Sequence, residues 1–535
     1  MLGASFRDFL IKYRWLILLV SGLFSGLAVI FPQVGFLQWI LLIPALLVIL
    51  TRLPDKAVKY KALYGMGFGF FLVYFTVCFH WFLWMYPLDY AGFSPLASAV
   101  VVCLGSVGLA AFQAAGAAVI FPLFALAARS KTLSRLPLLL PPLFASLWTA
   151  VEWWQAHSGW SGVPWGRLCL GQTEMLASLQ SASLFGSYFI TFLIVLVNGL
   201  AAYALLCPRR RMLCSILALS LLAGNLTFGL IYLAIPSEEG ERVKVAAIQG
   251  NLASGEEWGA VGSVGRALEA YGDLTRKAAA EGAEMVLWPE TAIVANLKHV
   301  EDDLTTLARE CNVTILAGLF TDHPTEKGDY NSIVAVLPDG SIHQSAYHKR
   351  NLVPFGEFVP LRGLITALIP PLAEINTLGE DLAFGQEAVV IPLPEGGVAP
   401  LICFDSIYEQ NALESVRDGA QLLAIPTNDS WFKDSRGVWM HSGQAQLRAI
   451  ETGRYVLRAA NTGVSSVIND RGEILDKLPP FETGYVLAEV VMSTDTTLYT
   501  VIGNLFAYLC LGFSAGCCLL PLGESLAGKR KEDGI

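Results

Sequence analysis

The sequence predicts a multi-pass α-helical membrane protein of about eight spans with one inserted α/β domain, and three observations carry that prediction. Apolar residues make up 54% of the 535 and charged residues only 15%, the balance of a chain that faces lipid. Long apolar runs fill the first 235 positions and return at 499–520. Between them lies a polar block in which strand-like runs alternate with helical periods and turn dipeptides, as in a layered α/β domain. The net charge is −9 and the basic residues of the apolar part gather in short loops, which leaves no broad basic face for nucleic acid.

The spans are expected at 15–31, 33–51, 63–85, 97–127, 136–155, 180–205, 212–234 and 499–520. The opening residues imitate a secretory signal, with Arg7, Lys12 and Arg14 ahead of Trp15. Further spans follow and no cleavage site closes the run, so it reads as an uncleaved first helix. The fourth run is too long for one perpendicular crossing and must tilt or extend past the bilayer. With eight crossings, five basic clusters fall on one side: Arg7, Lys12 and Arg14; Arg52, Lys56, Lys59 and Lys61; Arg129, Lys131 and Arg135; Arg209, Arg210 and Arg211; and Lys529, Arg530 and Lys531. Short loops rich in Lys and Arg are cytoplasmic, so the polar block is expected outside. The resulting plan is a seven-helix membrane region over 1–235, an extracytoplasmic domain over 236–498, an eighth helix over 499–520 and a cytoplasmic basic tail over 521–535.

On the opposite side, the 156–179 loop has Arg167 as its only basic residue, and Trp153, Trp154, Trp160 and Trp165 lie in or near it. It reads as an aromatic belt among headgroups, or as a lipid-access surface beside an active site. Glu152 and His80, near span ends, are explained by packing or headgroup contacts.

Within the polar block, 244–249, 285–288 and 313–320 read as strands, with helices over 263–280 and around 304–309. A Pro-Asp-Gly turn joins 331–337 to 341–349 as a hairpin. A Pro/Gly-rich excursion covers 354–385. Strands follow at 388–392, 398–403, 422–426, 456–460 and 464–469, with helices over 407–418 and 442–452.

Ten cysteines do not read as a disulfide framework in a chain of this length. Eight lie in or beside apolar runs as small hydrophobes, and only Cys311 and Cys403 fall in the polar block. Both read as open strand-end positions, which argues against a bridge between them. Cys403 closes the apolar run 399–402 and enters a turn, which can hold a thiol rigidly at a sheet edge. Glu290 and Lys349 also follow predicted strands, and strand ends are where layered α/β domains meet ligands. A cysteine needs a base or cation nearby to react: Glu290 can take its proton, and Lys349 can stabilise the thiolate and the oxyanion formed on attack at a carbonyl. Each of the three alone reads as structural; their joint placement points to an acyl thioester passed to a second nucleophile.

The order Glu, Lys, Cys within WPE at 288–290, YHKRNLVPFGEFVP at 347–360 and ICFD at 402–405 resembles the carbon-nitrogen hydrolase (nitrilase) superfamily. PFGE and the spans on both sides make the chain similar to the apolipoprotein N-acyltransferase family, with further matches at AAIQGN (246–251) and ANTG (460–463). The resemblance implies a nitrilase-like sandwich and a catalytic set of Glu290, Lys349 and Cys403, with Glu357 as a second essential carboxylate and Trp258 as a mobile tryptophan. Glu357 near Lys349 would keep it protonated and oriented; its plainer reading is a residue that pins the 354–360 loop. Trp258, Phe404, Asp405 and Asn461 form the candidate substrate-binding or gating set. In that set Asp405 anchors the turn at the nucleophile, and Asn461 shapes a tight turn with Gly463.

Cys403-Phe404-Asp405 stands where the family commonly has Cys-Tyr-Glu, and also resembles soluble nitrilase-like amidases. The resemblance implies a phospholipid acyl donor, a diacylated lipoprotein acceptor, a bacterial inner-membrane setting and a ping-pong reaction without metal or organic cofactor. The alternatives are a membrane-tethered amidase that passes the acyl group to water, and a non-catalytic lipoprotein-binding or transport protein. The intact Glu290, Lys349 and Cys403 set argues against the second, and the apolar region lacks the inverted repeat or mid-span charged pairs that would favour transport.

Overall fold

The computed structural model describes residues 4–53, 55–88, 93–236, 240–252, 262–324, 328–368 and 381–532. The chain divides into two compact units: Met1–Phe82, Cys103–Ile235 and Ile502–Ile535 form one, and Leu83–Val102 and Pro236–Val501 form the other.

The first unit is helical. Pro32–Arg52, Tyr60–Cys78, Pro95–Ala128, Ser187–Leu206, Pro208–Ala234 and Leu505–Leu526 are long and apolar enough to cross a membrane, the third of them counted with this unit from Cys103 onward. Ser5–Lys12 and Arg14–Ile30, bent by 71°, make a seventh if counted as one span. The remaining expected span, 136–155, is the helix Leu140–Ala156; its 17 residues reach only about 26 Å, short of a hydrocarbon layer of about 30 Å. Several boundaries move from the expected ones. The third helix ends at Cys78 and continues as a 3-10 turn over His80–Met85, and the last begins at Leu505 because Gly503, at φ +57°, interrupts the backbone after Leu498–Ile502. The tryptophan-rich loop is partly core: Trp154 and Trp160 are exposed, but Trp165 and Arg167 are buried. Glu152 is a packing residue, accepting from Trp148 Nε1, Leu168 N and Thr191 Oγ1 at 3.1, 3.2 and 2.8 Å.

The second unit contains, among the described residues, β1 (Glu241–Gln249), β2 (Met285–Leu287), β3 (Thr314–Thr321), β4 (Tyr330–Val336), β5 (Tyr347–His348) and β6 (Ile391–Leu393). It continues with β7 (Gly396–Pro400), β8 (Leu422–Thr427), β9 (Tyr455–Ala460), β10 (Ser465–Ile468), β11 (Ile474–Leu478) and β12 (Gly484–Met492). They form two six-stranded sheets, ordered β12-β1-β2-β3-β4-β5 and β11-β10-β9-β8-β7-β6. Successive side chains on a strand face opposite ways, and the burial follows that period. Val243, Val245 and Ala247 join Val398, Leu422 and Ala424 in the core shared by the sheets. Ala246 and Ile248 face outward, against Tyr271 and Leu274 of α1 (Ser263–Ala280) and Leu304 and Leu307 of α2 (Glu301–Cys311). The outer face of the second sheet meets α3 (Glu409–Arg417) and α4 (Arg436–Thr452) through Ala412, Val416, Ala445 and Ala449. The result is helix, sheet, sheet, helix. Within each sheet the central three strands, β1-β2-β3 and β7-β8-β9, run parallel, so their C-terminal ends share an edge.

Two strands escape the sequence reading. β11 is short and largely exposed, and β12 pairs antiparallel with β1 across some 240 residues of sequence, a partnership no local pattern reveals. Only Tyr347–His348 of the expected 341–349 strand pairs regularly, and the strand expected over 398–403 stops at Pro400. Cys311 closes α2 rather than a strand, and it and Cys403 are both free thiols. Leu83–Val102 joins this unit from far upstream, and Lys433 Nζ donates to the Tyr86 carbonyl at 2.7 Å.

Candidate active site

Each group of the site sits just beyond a strand. Glu290 follows β2, where Trp288 N still donates to Leu316 O and Thr291 adopts φ +45°. The turn comes so close to β3 that a Cβ on Gly318 would lie 2.0 Å from the Pro289 carbonyl oxygen. Lys349 follows β5, and its N–H donates to Asn331 O at 2.8 Å. Both side chains are buried, and Lys349 Nζ lies 2.7 Å from Glu290 Oε1 and 2.8 Å from Glu357 Oε2. Asn331 on β4 joins the two acids, with Nδ2 donating to Glu290 Oε1 at 2.8 Å and Glu357 Oε1 at 2.9 Å. Asn428 N, just beyond β8, donates to Glu290 Oε2 at 3.0 Å. Burial works against the Lys349 cation, but Glu290 and Glu357 outweigh it and hold its pKa well above the ordinary lysine value.

Glu357 makes the contacts that both readings require. The carboxylate that meets Lys349 also accepts from Val353 N at 2.8 Å, which pins the loop carrying it.

Cys403 opens a 3-10 turn, Cys403–Ile407, with φ +49°. That left-handed conformation costs a non-glycine residue about 1–2 kcal/mol, so surrounding contacts must hold it. Cys403 as a residue is partly exposed. Burial of its surroundings pushes its pKa well above the ordinary thiol value; Glu290 adds to the rise and Lys349 pulls it back. The resting group is therefore a thiol whose ionisation responds to both neighbours.

Asp405 is fully buried and ties the turn to the segment after Lys349. Its Oδ1 accepts from Asn351 N at 2.7 Å, and its Oδ2 accepts from Tyr347 Oη at 2.8 Å and Arg350 N at 3.3 Å. Burial raises its pKa to about 6, against the lowering pull of Lys349 and these donors. Phe404 packs edge-on against Tyr408, with ring centres 5.5 Å apart. Asn461 lies further off. It accepts from Leu252 N and Tyr271 Oη at 3.0 and 3.1 Å and donates to Leu252 O at 2.7 Å, fixing the residues that lead out of β1. Trp258 lies outside the described residues.

The sequence reading missed a buried group behind Cys403. Asp429 accepts from Arg458 Nη2 at 2.8 Å and lies 2.7 Å from His441 Nδ1, and His441 Nε2 lies 3.2 Å from the Cys403 carbonyl oxygen. Burial opposes ionisation of Asp429, but Arg458 and His441 outweigh it and hold its pKa well below the usual carboxylate range. The one signal in sequence was Gly463 of ANTG, where a Cβ would lie 2.2 Å from Asp429 Oδ2.

Residues 244–497 match the carbon-nitrogen hydrolase family, and residues 21–200 match the apolipoprotein N-acyltransferase N-terminal domain. The apolipoprotein N-acyltransferase of Gloeobacter violaceus is 31% identical over 518 residues, which cover 95% of this chain and 94% of the relative. That of Methylococcus capsulatus is 30% identical over 482 residues, 88% of each chain. Among solved structures, Saccharomyces cerevisiae Nit3, a nitrilase-superfamily member, is 18% identical with a TM-score of 0.38, over 49% of this chain and 93% of that one.

Proposed function

This chain belongs to the apolipoprotein N-acyltransferase family, with a carbon-nitrogen hydrolase domain between apolar helices, and from that premise we propose a route by which it transfers an acyl chain. The observation that carries the route is the buried Lys349 held by Glu290 and Glu357, close enough to shift the ionisation of a strained Cys403.

Cys403 Sγ attacks the ester carbonyl of a phospholipid acyl chain while its proton passes to Glu290. Lys349 stabilises the oxyanion, and Glu357 and Asn331 keep the ammonium and the general base aligned. Collapse breaks the ester C–O bond, and the lysophospholipid leaves with the proton returned by Glu290. The product is a thioester on Cys403. The α-amine of a diacylglyceryl-cysteine lipoprotein, with a pKa near 8 in model compounds, then attacks that thioester. Glu290 takes the amine proton and returns it to the departing thiolate, leaving an amide-linked third chain. With Leu140–Ala156 counted as the eighth crossing, the five basic clusters fall on one side, which supports a cytoplasmic placement of those loops and a bacterial inner-membrane enzyme with its catalytic domain on the periplasmic side.

The test uses the full chain in detergent or liposomes with phospholipid and a diacylated lipopeptide bearing a free N-terminal amine, followed by mass spectrometry. An acylated Cys403 peptide and an added chain on the lipopeptide are expected, both absent in Cys403→Ala. Free fatty acid with unchanged lipopeptide would instead make the chain a hydrolase. Unmodified Cys403 beside a productive reaction would remove it as the nucleophile.

A further inference from the structure

We propose that His441 is a positioning residue for Cys403, one that fixes the peptide on which the thiol stands; the proposal rests on the reading of Cys403 as the acylated nucleophile. The left-handed conformation at Cys403 is one that side chains rarely adopt, so something outside the turn must hold it. Among the described residues the Cys403 carbonyl oxygen has two side-chain partners. Ser406 Oγ, from within the same turn, donates to it at 2.7 Å, and His441 Nε2, from α4, lies 3.2 Å away. With its Nδ1 proton on Asp429, the ring donates to the carbonyl from an Nε2 that is protonated as well, and Nε2 also lies 3.3 Å from Ser406 Oγ; Ser406 ties the turn to itself, whereas His441 ties it to the scaffold.

His441 is itself held rigidly. It is buried to 1% exposure, and its Nδ1 lies 2.7 Å from Asp429 Oδ1. A ring fixed at one nitrogen has the direction of the other nitrogen set for it. Asp429 is fixed in turn by Arg458 Nη2 at 2.8 Å and by Thr427 Oγ1 at 3.1 Å. Gly463 leaves the space in which the carboxylate sits, and the edge of the Phe432 ring closes on the imidazole with centres 5.9 Å apart. The turn beyond β8, the middle of β9 and the helix α4 thus converge on one main-chain oxygen.

The geometric consequence concerns the 403–404 peptide. In a planar trans peptide the carbonyl and the following N–H point in opposite directions. Drawing the Cys403 carbonyl toward His441 therefore aims the Phe404 N–H the other way and sets the Cα from which the thiol projects. His441 makes no contact with substrate in this scheme. It acts through the peptide, so its loss reduces the rate of acylation without weakening phospholipid binding.

Two isosteric fragments of the imidazole separate the two contacts. In His441→Gln the amide nitrogen occupies the place of Nε2 and reaches the Cys403 carbonyl; in His441→Asn it occupies the place of Nδ1 and reaches only Asp429. Single-turnover acylation of Cys403 by phospholipid is followed by mass spectrometry across phospholipid concentrations. The maximal rate in His441→Asn is expected to fall at least about tenfold below that in His441→Gln, with half-saturation unchanged, the scale of one lost hydrogen bond. A ratio near one overturns the proposal, and so does failure of both variants to accumulate as folded protein, since His441 would then serve the fold rather than the position of Cys403. A difference confined to half-saturation overturns it too. Wild-type protein that never forms acyl-Cys403 would instead sink the reading of Cys403 as nucleophile, so the two failures are told apart.

Discussion

Lys349 Nζ lies 2.8 Å from Glu357 Oε2 while sharing its charge with Glu290 at 2.7 Å, so one buried cation is held by two carboxylates. Removing it leaves two acids without a cation in a site where Lys349 is 1% exposed and the acid side chains 7% and 12%. Lys349→Met is therefore expected to cost about 3–5 kcal/mol of stability. Glu357→Gln keeps the shape and an acceptor for Val353 N, and should cost nearer 1 kcal/mol. Denaturant unfolding in detergent measures both; equal losses would mean that the second carboxylate matters to the fold as much as the cation does.

Glu290 has opposite effects on two reactions of the same thiol. Its charge raises the Cys403 pKa, and Lys349 lowers it, so Glu290→Gln removes a raising influence and keeps a lowering one. Alkylation of Cys403 by iodoacetamide at pH 8 is expected to speed up, by about tenfold for each pKa unit recovered. Acyl transfer is expected to be lost, because the proposed proton acceptor is gone. Slower alkylation in the variant would contradict the electrostatic order of the site.

Asp405 is raised from 3.8 to about 6 in the folded chain, so the native state binds its proton more tightly than the unfolded one. The sign follows: its contribution to stability falls as pH rises from about 4 to about 6, by up to about 3 kcal/mol, and is level above that. Asp405→Asn removes this slope. The stability of the variant relative to wild type should improve between pH 4.5 and pH 7.5, a difference in which unrelated titrations cancel. A pH-independent difference would mean that the carboxyl is ionised across the whole range.

The alternation of strands and helices and the strand-end placement of Glu290 and Lys349 were legible in sequence because each depends on local pattern: an apolar run, then a turn, then a side chain with chemistry. Glu290 after β2 and Lys349 after β5 are of this kind. Leu83–Val102 and β12 were not, since their partners lie hundreds of residues away. His441 was hidden for another reason. It sits within a helix of ordinary polar and apolar residues, and its meaning comes only from the Cys403 carbonyl 38 positions earlier. Trp165 was misread because tryptophan between apolar helices suits an interface and a core equally well, and it is buried.

Gly463 shows how a small residue reports on a buried charge. An alanine there would place Cβ 2.2 Å from Asp429 Oδ2, and Asp429 is clamped by Arg458 and His441 and cannot easily yield. Gly463→Ala is expected to cost about 1–3 kcal/mol by overpacking. The acylation rate should fall with it, since a displaced Asp429 shifts His441 and then the Cys403 carbonyl. Full stability and full rate together would show that the carboxylate has room to move.

Asn461 gives the last prediction, because it holds the chain where it leaves β1. Its side chain satisfies both the N–H and the C=O of Leu252 and takes the Tyr271 hydroxyl as well. Asn461→Ala leaves these groups short of partners in a buried setting, at about 1–3 kcal/mol. Asn461→Asp keeps the Oδ1 acceptor for Leu252 N and Tyr271 but sets a second acceptor, on a buried carboxylate, against Leu252 O, so its cost should be at least that of the alanine. The segment released begins just before the stretch that carries Trp258. If that tryptophan contacts an acyl chain rather than gating the cleft, Asn461→Ala raises the phospholipid concentration for half-maximal rate and leaves the maximal rate of Cys403 acylation nearly unchanged. A drop in maximal rate alone would place Asn461 with the groups that hold Cys403 instead.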